Sequence, residues 1–305
     1  MSQRPLLTKH VGRLSRRLVS NPRPTRAVPS FVPTCHPNDA RALSTSTKLM
    51  NVQGAPLKDK ASDVPREVTE HAGYSAAETD AYLLSKLAPP NDLANEPSLV
   101  ESAQRAKDAG LPDIAVSPLQ GQFLSILVKG MGASKVLEIG TLWGFSTYFL
   151  TRALPKYGQI DTLEISPKHA EVAARTFLEA DIYPFPKIYV GPALDTLKTL
   201  EPPGAAEQAP DAGYDLVFID ADKENSAAYF QESLRLTRKG GLIVVDNAVR
   251  RGQIVEDQAD GDVAVAGIRK LYDWIENDQG RTVVASGLQT VGTKGWDGFV
   301  IATKL

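Results

Sequence analysis

The chain has 305 residues, of which 42% are hydrophobic, 23% charged and 7% aromatic, as in ordinary globular proteins. No run of residues approaches the roughly 18 consecutive apolar residues of a membrane-spanning helix, so the sequence predicts no membrane span. The net charge of −2 argues against a nucleic-acid-binding protein, which normally has a dominant basic surface.

The charge is divided unevenly along the chain. Residues 1–50 contain nine Lys or Arg and a single acid, Asp39, whereas the remainder contains 25 basic and 35 acidic residues. Because an Arg- and Ser-rich, acid-poor start is typical of an organellar transit peptide, we interpret residues 1–50 as a disordered mitochondrial targeting segment. The alternatives are an unstructured tail, or an upstream extension of a cytoplasmic protein that begins at Met50. A polar linker over 51–75 follows.

Cysteine and histidine usage excludes several kinds of site. Cys35 is the only cysteine, so the remainder of the chain holds no disulfide framework, thiol nucleophile or cysteine-ligated metal. The histidines are far apart in the sequence, which gives little support to a His-rich metal site or a serine–histidine hydrolase. They are His10, His36, His71 and His169.

The predicted folded domain covers 76–305 and begins with a helical cap over 76–130. In the first helix of this cap, the apolar side consists of Tyr82, Leu83 and Leu87. Proline, glycine and capping residues delimit the predicted helices of the cap. These cover 76–87, 97–109 and a segment that begins at Ser117-Pro118.

From Lys135 onward, short apolar runs alternate with helical segments. The runs have strand length and cover 136–139, 160–164, 187–190, 216–220, 242–246, 282–285 and 298–303. The helical segments cover 146–153, 167–180, 192–200, 225–238 and 262–278. Such alternation predicts a doubly wound α/β fold, in which a mostly parallel, seven-stranded sheet has helices on both faces.

In this class of fold, ligands bind at the carboxyl ends of the strands. Gly140 and Gly144 follow the first predicted strand, but they lack the G-x-G-x-x-G spacing of dinucleotide-binding proteins. Glu164 ends the second strand, where a carboxylate is expected to bind the ribose hydroxyls. A plain strand-to-helix turn and a helix-capping acid are the alternatives. Together the two features predict an adenosine-bearing cofactor without a pyrophosphate.

Polar residues also follow the fourth and fifth strands. Asp220, Asp222 and Lys223 follow one strand, and Asp246 and Asn247 follow the other. Two carboxylates and an amide supply only hard oxygen ligands, which suit Mg²⁺, Ca²⁺ or Mn²⁺; helix capping is the alternative role. Lys223 is either a surface ion-pair partner or a general base whose pKa a nearby cation lowers. We favour the base because it directly follows the predicted ligands.

From Ser117 to Val255 the chain resembles the cation-dependent class I O-methyltransferases, which include plant caffeoyl-CoA and animal catechol O-methyltransferases. The resemblance implies their Rossmann-like fold and S-adenosylmethionine as cofactor. Its carrying motifs are Ser117-Pro118 with Gly121-Gln122-Phe123-Leu124, VLEIGTLWGFS at 136–146, Gly191-Pro192-Ala193-Leu194, YDLVFIDADKEN at 214–225 and GGLIVVDN at 240–247.

The resemblance also implies a role for each matching position. Val116 and Asp222 correspond to residues at the methionine portion of the cofactor, and Ala193 to one that donates its backbone N–H to the adenine. The implied cofactor-binding set is Val116, Glu138, Gly140, Thr141, Ser146, Glu164, Ala193 and Asp222. The implied metal ligands are Asp220, Asp246 and Asn247, with Mg²⁺ as the expected cation and Ca²⁺ or Mn²⁺ as alternatives. The implied catalytic residues are the base Lys223 and the neighbouring Asp220.

The sequence departs from the family at two places. Trp143 replaces a small or hydroxylic residue, which is expected to narrow the cofactor pocket. Arg250 and Arg251 occur where members of the family often have an aromatic residue, which leaves the acceptor open between free catechols and coenzyme A esters. One of these arginines contacting an acidic group of the substrate, and both being solvated loop residues, are the alternatives.

These features predict a methyltransferase that uses S-adenosylmethionine and a divalent cation to methylate one hydroxyl of a vicinal aromatic diol. The resemblance further implies a homodimer. The alternatives are a nicotinamide-dependent oxidoreductase, which the missing third glycine disfavours, and a non-catalytic interaction protein with the same fold.

Overall fold

The computed structural model describes residues 70–71, 74–87, 97–209, 211–255 and 262–305. The predicted targeting segment over 1–50, and the linker up to residue 69, lie outside the described residues. Among the helices that the structure describes, none has the length and apolar character needed to cross a bilayer.

In the described part of the chain, three helices precede the main sheet. A two-residue antiparallel pair, β1 (Glu70–His71) with β2 (Tyr74–Ser75), leads into α1 (Ala76–Leu87), α2 (Pro97–Asp108) and α3 (Pro118–Gly130). Ser117 caps α3 by accepting the N–H of Gln120, and the Gln120 side chain accepts the N–H of Ser117 in return. Pro118 occupies the first turn, where its missing N–H costs no hydrogen bond.

The remaining elements form a seven-stranded sheet with helices between the strands. They are β3 (Lys135–Ile139), α4 (Phe145–Ala153), β4 (Gln159–Glu164), α5 (Pro167–Glu179), β5 (Lys187–Val190), α6 (Ala193–Thr199), β6 (Tyr214–Ile219), α7 (Ser226–Leu236), β7 (Thr237–Val245), α8 (Val263–Asp278), β8 (Val283–Gly292) and β9 (Gly295–Lys304). The strand order is β5-β4-β3-β6-β7-β9-β8. The five strands from β3 through β7 are parallel to one another, and β9 is antiparallel to both of its neighbours, β7 and β8.

Both faces of the sheet are buried. On one face, Val136, Leu216 and Val244 pack with residues of α3 and α4. The alternate residues of the same strands face the other way and pack with residues of α7 and α8; they are Leu137, Val217 and Ile243. Because side chains alternate across a strand, one apolar run supplies both cores. The predicted doubly wound fold with a mostly parallel sheet is therefore confirmed.

The last two strands are longer than predicted. They form a hairpin over 283–292 and 295–304, whereas the apolar runs predicted only 282–285 and 298–303. Most residues of β8 are exposed or half-buried, so they lack the apolar run that marks a strand in sequence. Backbone hydrogen bonds to β9 hold this part of the strand, which is a tertiary effect.

The first helix has the predicted bounds but an exposed apolar side. No side chain of α1 is buried, and Tyr82 and Leu87 on its apolar side are 63% and 59% exposed. Polar contacts hold the helix instead, because Asp80 accepts the backbone N–H of Thr293 at 2.7 Å and its hydroxyl at 2.8 Å. The apolar side of α1 that the sequence identifies is therefore not buried against the described part of the chain.

Candidate active site

The carboxyl ends of β3, β4, β6 and β7 surround a cleft of about 690 Å³, here called the cofactor cleft. A second cleft of about 410 Å³, here called the acceptor cleft, lies beside it. Val116 and Asn247 line both clefts. The other predicted site residues that line the cofactor cleft are Gly140, Thr141, Ser146, Glu164, Ala193, Asp220, Asp222 and Lys223. Asp246 lines the acceptor cleft.

The turn after β3 depends on its two glycines. Gly140 has a φ of +102°, and a Cβ there would lie 2.0 Å from the backbone oxygen of Asp220. Gly144 has a φ of +90°, and a Cβ there would lie 2.4 Å from the Phe177 ring. Both positions therefore exclude a side chain on conformational and steric grounds. Gly140 allows the ends of β3 and β6 to approach each other closely.

Glu164, at the end of β4, holds this turn in place. Its Oε2 accepts the N–H groups of Thr141 at 3.2 Å and Leu142 at 2.8 Å. Its Oε1 accepts the N–H of Ser166 at 2.9 Å and lies 3.3 Å from Nδ1 of His169. The side chain is thus fixed in the cleft wall by several donors before any ligand binds.

Glu138 lies beneath the wall of the cofactor cleft and is fully buried. Thr147 and Thr162 donate their hydroxyl hydrogens to its Oε2. Because the Thr162 hydroxyl is used in this way, Thr141 donates to Thr162 across 2.6 Å. Burial raises the pKa of Glu138 to about 7, against the opposing effect of hydrogen bonds from Ser146, Thr147 and Thr162. Glu138 thus orients the Thr162 hydroxyl, which in turn accepts the hydroxyl hydrogen of Thr141.

Two acids at the end of β6 have different partners. Lys223 Nζ donates to Asp220 Oδ1 at 2.7 Å, and both side chains are mostly buried. The Asp222 carboxylate accepts hydrogen bonds from the Tyr229 hydroxyl and, at 2.6 Å, from the Asn225 amide. Burial and the Asp222 carboxylate raise the pKa of Tyr229, so the phenol stays protonated and donates.

Asp246 and Asn247, at the end of β7, lie where the two clefts meet. Asp246 is 4% exposed and accepts the backbone N–H of Asn247 at 2.7 Å. Asn247 has a φ of +55°, a conformation that Asn tolerates better than most residues. Burial, and then the negative charge of Asp220, raise the pKa of Asp246 to about 7, while the charge of Lys223 opposes this shift.

The donors at this junction fit a hard divalent cation. Asp220 and Asp246 each use Oδ1 in a hydrogen bond, and no hydrogen bond to either Oδ2 is present among the described residues. The same part of the chain contains no group of three His, Cys, Asp or Glu side chains suited to a metal ion. A cation here therefore needs the amide oxygen of Asn247 as its third protein ligand, a combination that suits Mg²⁺.

The acceptor cleft is largely apolar. Phe123 of α3 and Phe299 of β9 stack with their ring centroids 5.7 Å apart, and Leu288 and Val291 of the hairpin also line the cleft. Its position beside Asn247 and its apolar walls suit an aromatic ring.

Trp143 does not narrow the cofactor cleft, contrary to expectation. The side chain is 8% exposed and packs on Phe145, with the ring centroids 5.1 Å apart. It belongs to a cluster that includes Leu99 and Phe149. The position is therefore part of the packing between α2, α4 and α5.

Sequence reasoning missed several residues of the site. His169 is the third residue of a helix capped by Ser166, so its side chain is directed back toward Glu164. Tyr229 is one helical turn beyond Asn225, a spacing from which its reach to Asp222 could have been inferred. The hairpin residues of the acceptor cleft carry no comparable signal in the sequence.

Comparison with known proteins agrees with this geometry. A family model described as O-methyltransferase matches residues 93–300. The chain belongs to the O-methyltransferase family. It is 45% identical over 227 residues to a catechol O-methyltransferase of Mycobacterium tuberculosis, covering 74% of this chain and 94% of that protein.

Solved structures of O-methyltransferases have the same fold as this methyltransferase. One from Bacillus cereus, in complex with SAH, has a TM-score of 0.66 and 40% identity and covers 75% of this chain and 98% of that one. TomG from Streptomyces achromogenes, in complex with SAM, has a TM-score of 0.67 and 38% identity, with coverages of 75% and 96%.

Family membership confirms the predicted enzyme class, an S-adenosylmethionine-dependent O-methyltransferase. The alternatives of a nicotinamide-dependent oxidoreductase and a non-catalytic protein are therefore wrong.

Proposed function

We propose that this methyltransferase transfers the methyl group of S-adenosylmethionine to one hydroxyl of a catechol-type diol, with the help of a divalent cation. The observation that carries the proposal is the junction of the two clefts. Asp220 and Asn247 line the cofactor cleft, Asp246 and Asn247 line the acceptor cleft, and Lys223 donates a hydrogen bond to Asp220. The similarity to a protein named catechol O-methyltransferase supports the choice of acceptor.

The cofactor cleft supplies the groups that bind S-adenosylmethionine in this proposal. Glu164 would accept a ribose hydroxyl, since its Oε1 accepts the N–H of Ser166 as its one backbone donor and has room for a further hydrogen bond. Ala193, at the start of α6, would donate its backbone N–H to the adenine. Asp222 and Val116 would hold the methionine portion. Bound S-adenosylmethionine supplies a sulfonium methyl group, which is already reactive toward an oxygen nucleophile.

Asp220, Asp246 and Asn247 would hold the cation, preferably Mg²⁺. When bound, the cation would supply positive charge that makes a nearby hydroxyl more acidic. The protein residues do the positioning: they lie at the end of adjacent parallel strands, a rigid part of the fold.

Lys223 is the proposed general base. Its Nζ is held 2.7 Å from Asp220 Oδ1, so it lies beside the expected position of the attacking hydroxyl. As the neutral amine, it would accept the hydroxyl proton at Nζ while the oxygen attacks the methyl carbon. The bond between that carbon and the sulfur would break, and S-adenosylhomocysteine would leave. Asp220 therefore has two roles, as a cation ligand and as the residue that orients the base.

The substrate pair catechol and phenol tests this proposal. The protein is incubated with S-adenosylmethionine, Mg²⁺ and either acceptor, and the methylated product is quantified. We expect catechol to be methylated with a kcat/KM at least about 100-fold above that of phenol, because phenol lacks the second oxygen that fixes its orientation. Equal rates for the two acceptors would show that the diol is not recognised as a pair.

Two further proposals concern parts of the molecule other than this site. We propose that residues 1–50 direct mitochondrial import, which a fluorescent fusion of this segment tests by its location in cells. We also propose a homodimer, which light scattering on the purified protein tests through its mass.

A further inference from the structure

Arg250 is a cation on the wall of the cofactor cleft, close in sequence to the cation ligand Asn247. Its Nε is buried and has no hydrogen-bond partner among the residues that the structure describes. Among the described residues, Arg250 forms no ion pair. A buried, unpaired guanidinium nitrogen is costly, so the protein retains it at a free-energy cost that a bound anion would offset.

The acids on the same wall do not supply that anion. Asp220 is paired with Lys223, and Asp222 accepts hydrogen bonds from Tyr229 and Asn225. Glu164 is held by the turn after β3 and by His169. Within the described part of the chain, the positive charge of Arg250 therefore has no acidic partner and is available to a ligand.

The backbone holds Arg250 in a defined place. Asp297 Oδ1 accepts the N–H groups of Val249 at 3.0 Å and Arg250 at 2.9 Å. Arg250 has a φ of +51°, an uncommon value for a residue other than glycine. Gly252 closes the turn, and a Cβ there would lie 2.7 Å from the Trp296 ring. The hairpin thus fixes the turn from behind, and the side chain lines the cleft.

We propose that Arg250 binds a carboxylate of the acceptor, which would extend past Asn247, a residue that lines both clefts, into the cofactor cleft. The preferred substrates of this enzyme would then be catechols that carry an acidic group. The inference rests on the proposed function, because it assigns the acceptor of the same site. A planar guanidinium matches a carboxylate through two parallel hydrogen bonds, which a lysine at this position does not reproduce.

The test compares 3,4-dihydroxybenzoate with 4-methylcatechol, a neutral acceptor of similar size. The measured quantity is the ratio of the two kcat/KM values, acidic over neutral, for each protein. We expect Arg250→Gln to lower this ratio roughly 10- to 100-fold, as for loss of hydrogen bonds to a charged group. Arg250→Lys should lower it less. Arg251→Gln makes the same charge change at an exposed neighbour and should leave the ratio unchanged.

An unchanged ratio in Arg250→Gln, or an equal fall in Arg251→Gln, would overturn the proposal. Calorimetric titration of S-adenosylmethionine gives a further readout, since a loss of cofactor affinity with a constant ratio assigns Arg250 to the cofactor instead. If the wild-type protein methylates neither catechol, the proposed function fails. In that case, the affinity for 3,4-dihydroxybenzoate is measured by calorimetry in the presence of Mg²⁺ and S-adenosylhomocysteine. The proposed role of Arg250 predicts that 3,4-dihydroxybenzoate binds more weakly to Arg250→Gln than to the wild-type protein, and equal affinities would overturn it.

Discussion

Two carboxylates in the active site have almost the same exposure but very different surroundings. Glu164 is 5% exposed and Asp246 is 4% exposed. Glu164 accepts three backbone N–H groups and faces His169, whereas Asp246 accepts a single N–H and lies near the negative charge of Asp220. The cofactor side is thus held by the protein's own donors, while the acceptor side leaves negative charge that a bound cation would neutralise.

The largest expected effect is at Lys223. Lys223→Met should lower kcat by about 10²- to 10⁴-fold, because it removes the proposed proton acceptor. Cofactor affinity should change little, since Lys223 is assigned to the acceptor hydroxyl. Steady-state kinetics and calorimetry with S-adenosylhomocysteine separate the two effects. Lys198→Met, at an exposed position, is the matched control; an unaltered kcat in Lys223→Met would remove this residue from the mechanism.

The second-largest effect is expected at the proposed cation ligand Asp246. Asp246→Asn should lower kcat by about 10²- to 10³-fold at saturating Mg²⁺, through loss of a charged ligand at the junction. The melting temperature of the metal-free protein should hold or rise, because the variant no longer buries a carboxylate with few partners. Asp273→Asn, on the exposed face of α8, controls for the charge change. If Asp246→Asn were much less stable and yet fully active, Asp246 would have a structural role and would not be a cation ligand.

Glu138 should give the protein a pH-dependent stability. Its pKa of about 7 in the folded protein lies above the ordinary value of 4.5, so between these values the folded protein binds more protons than the unfolded chain. The free energy of unfolding should therefore fall as the pH rises from about 4.5 to about 7. In Glu138→Gln this fall should be smaller by up to about 3 kcal/mol. Denaturant titrations at several pH values measure the difference, and identical slopes would contradict it.

The smallest expected effect is on the cofactor side. Glu164→Gln keeps the shape of the side chain but replaces one accepting oxygen by a donor, so affinity for S-adenosylhomocysteine should fall about tenfold. The kcat at saturating cofactor should change less. Glu171→Gln, on the exposed face of α5, is the control. A fall in kcat without a loss of affinity would place Glu164 in the chemical step instead.

The two sides also differ in how far the sequence predicts them. Gly140 and Glu164 follow short apolar strands at fixed distances, so the alternation of strands and helices places them at one edge of the sheet. The sheet itself follows from the same pattern, because strands buried on both faces are continuously apolar. Local patterning therefore predicts the fold and the cofactor side.

The acceptor side depends on contacts between segments that are distant in sequence. Asp297 holds the N–H groups of Val249 and Arg250 across nearly fifty residues, and Phe299 stacks on Phe123. Neither contact has a local signal, since both arise from the pairing of β9 with β7 and β8. The position of α1 was equally hard to predict from the sequence. The helix contacts the distant hairpin through the polar side chain of Asp80, and its apolar side is exposed.

Removal of the metal tests the central claim most directly. The protein is treated with EDTA and dialysed, and the rate of catechol methylation is measured before and after Mg²⁺ is restored, alongside calorimetry with S-adenosylhomocysteine. The account predicts that turnover is lost without the cation and returns with it, while affinity for S-adenosylhomocysteine stays nearly constant. Full turnover in the metal-free protein would contradict it.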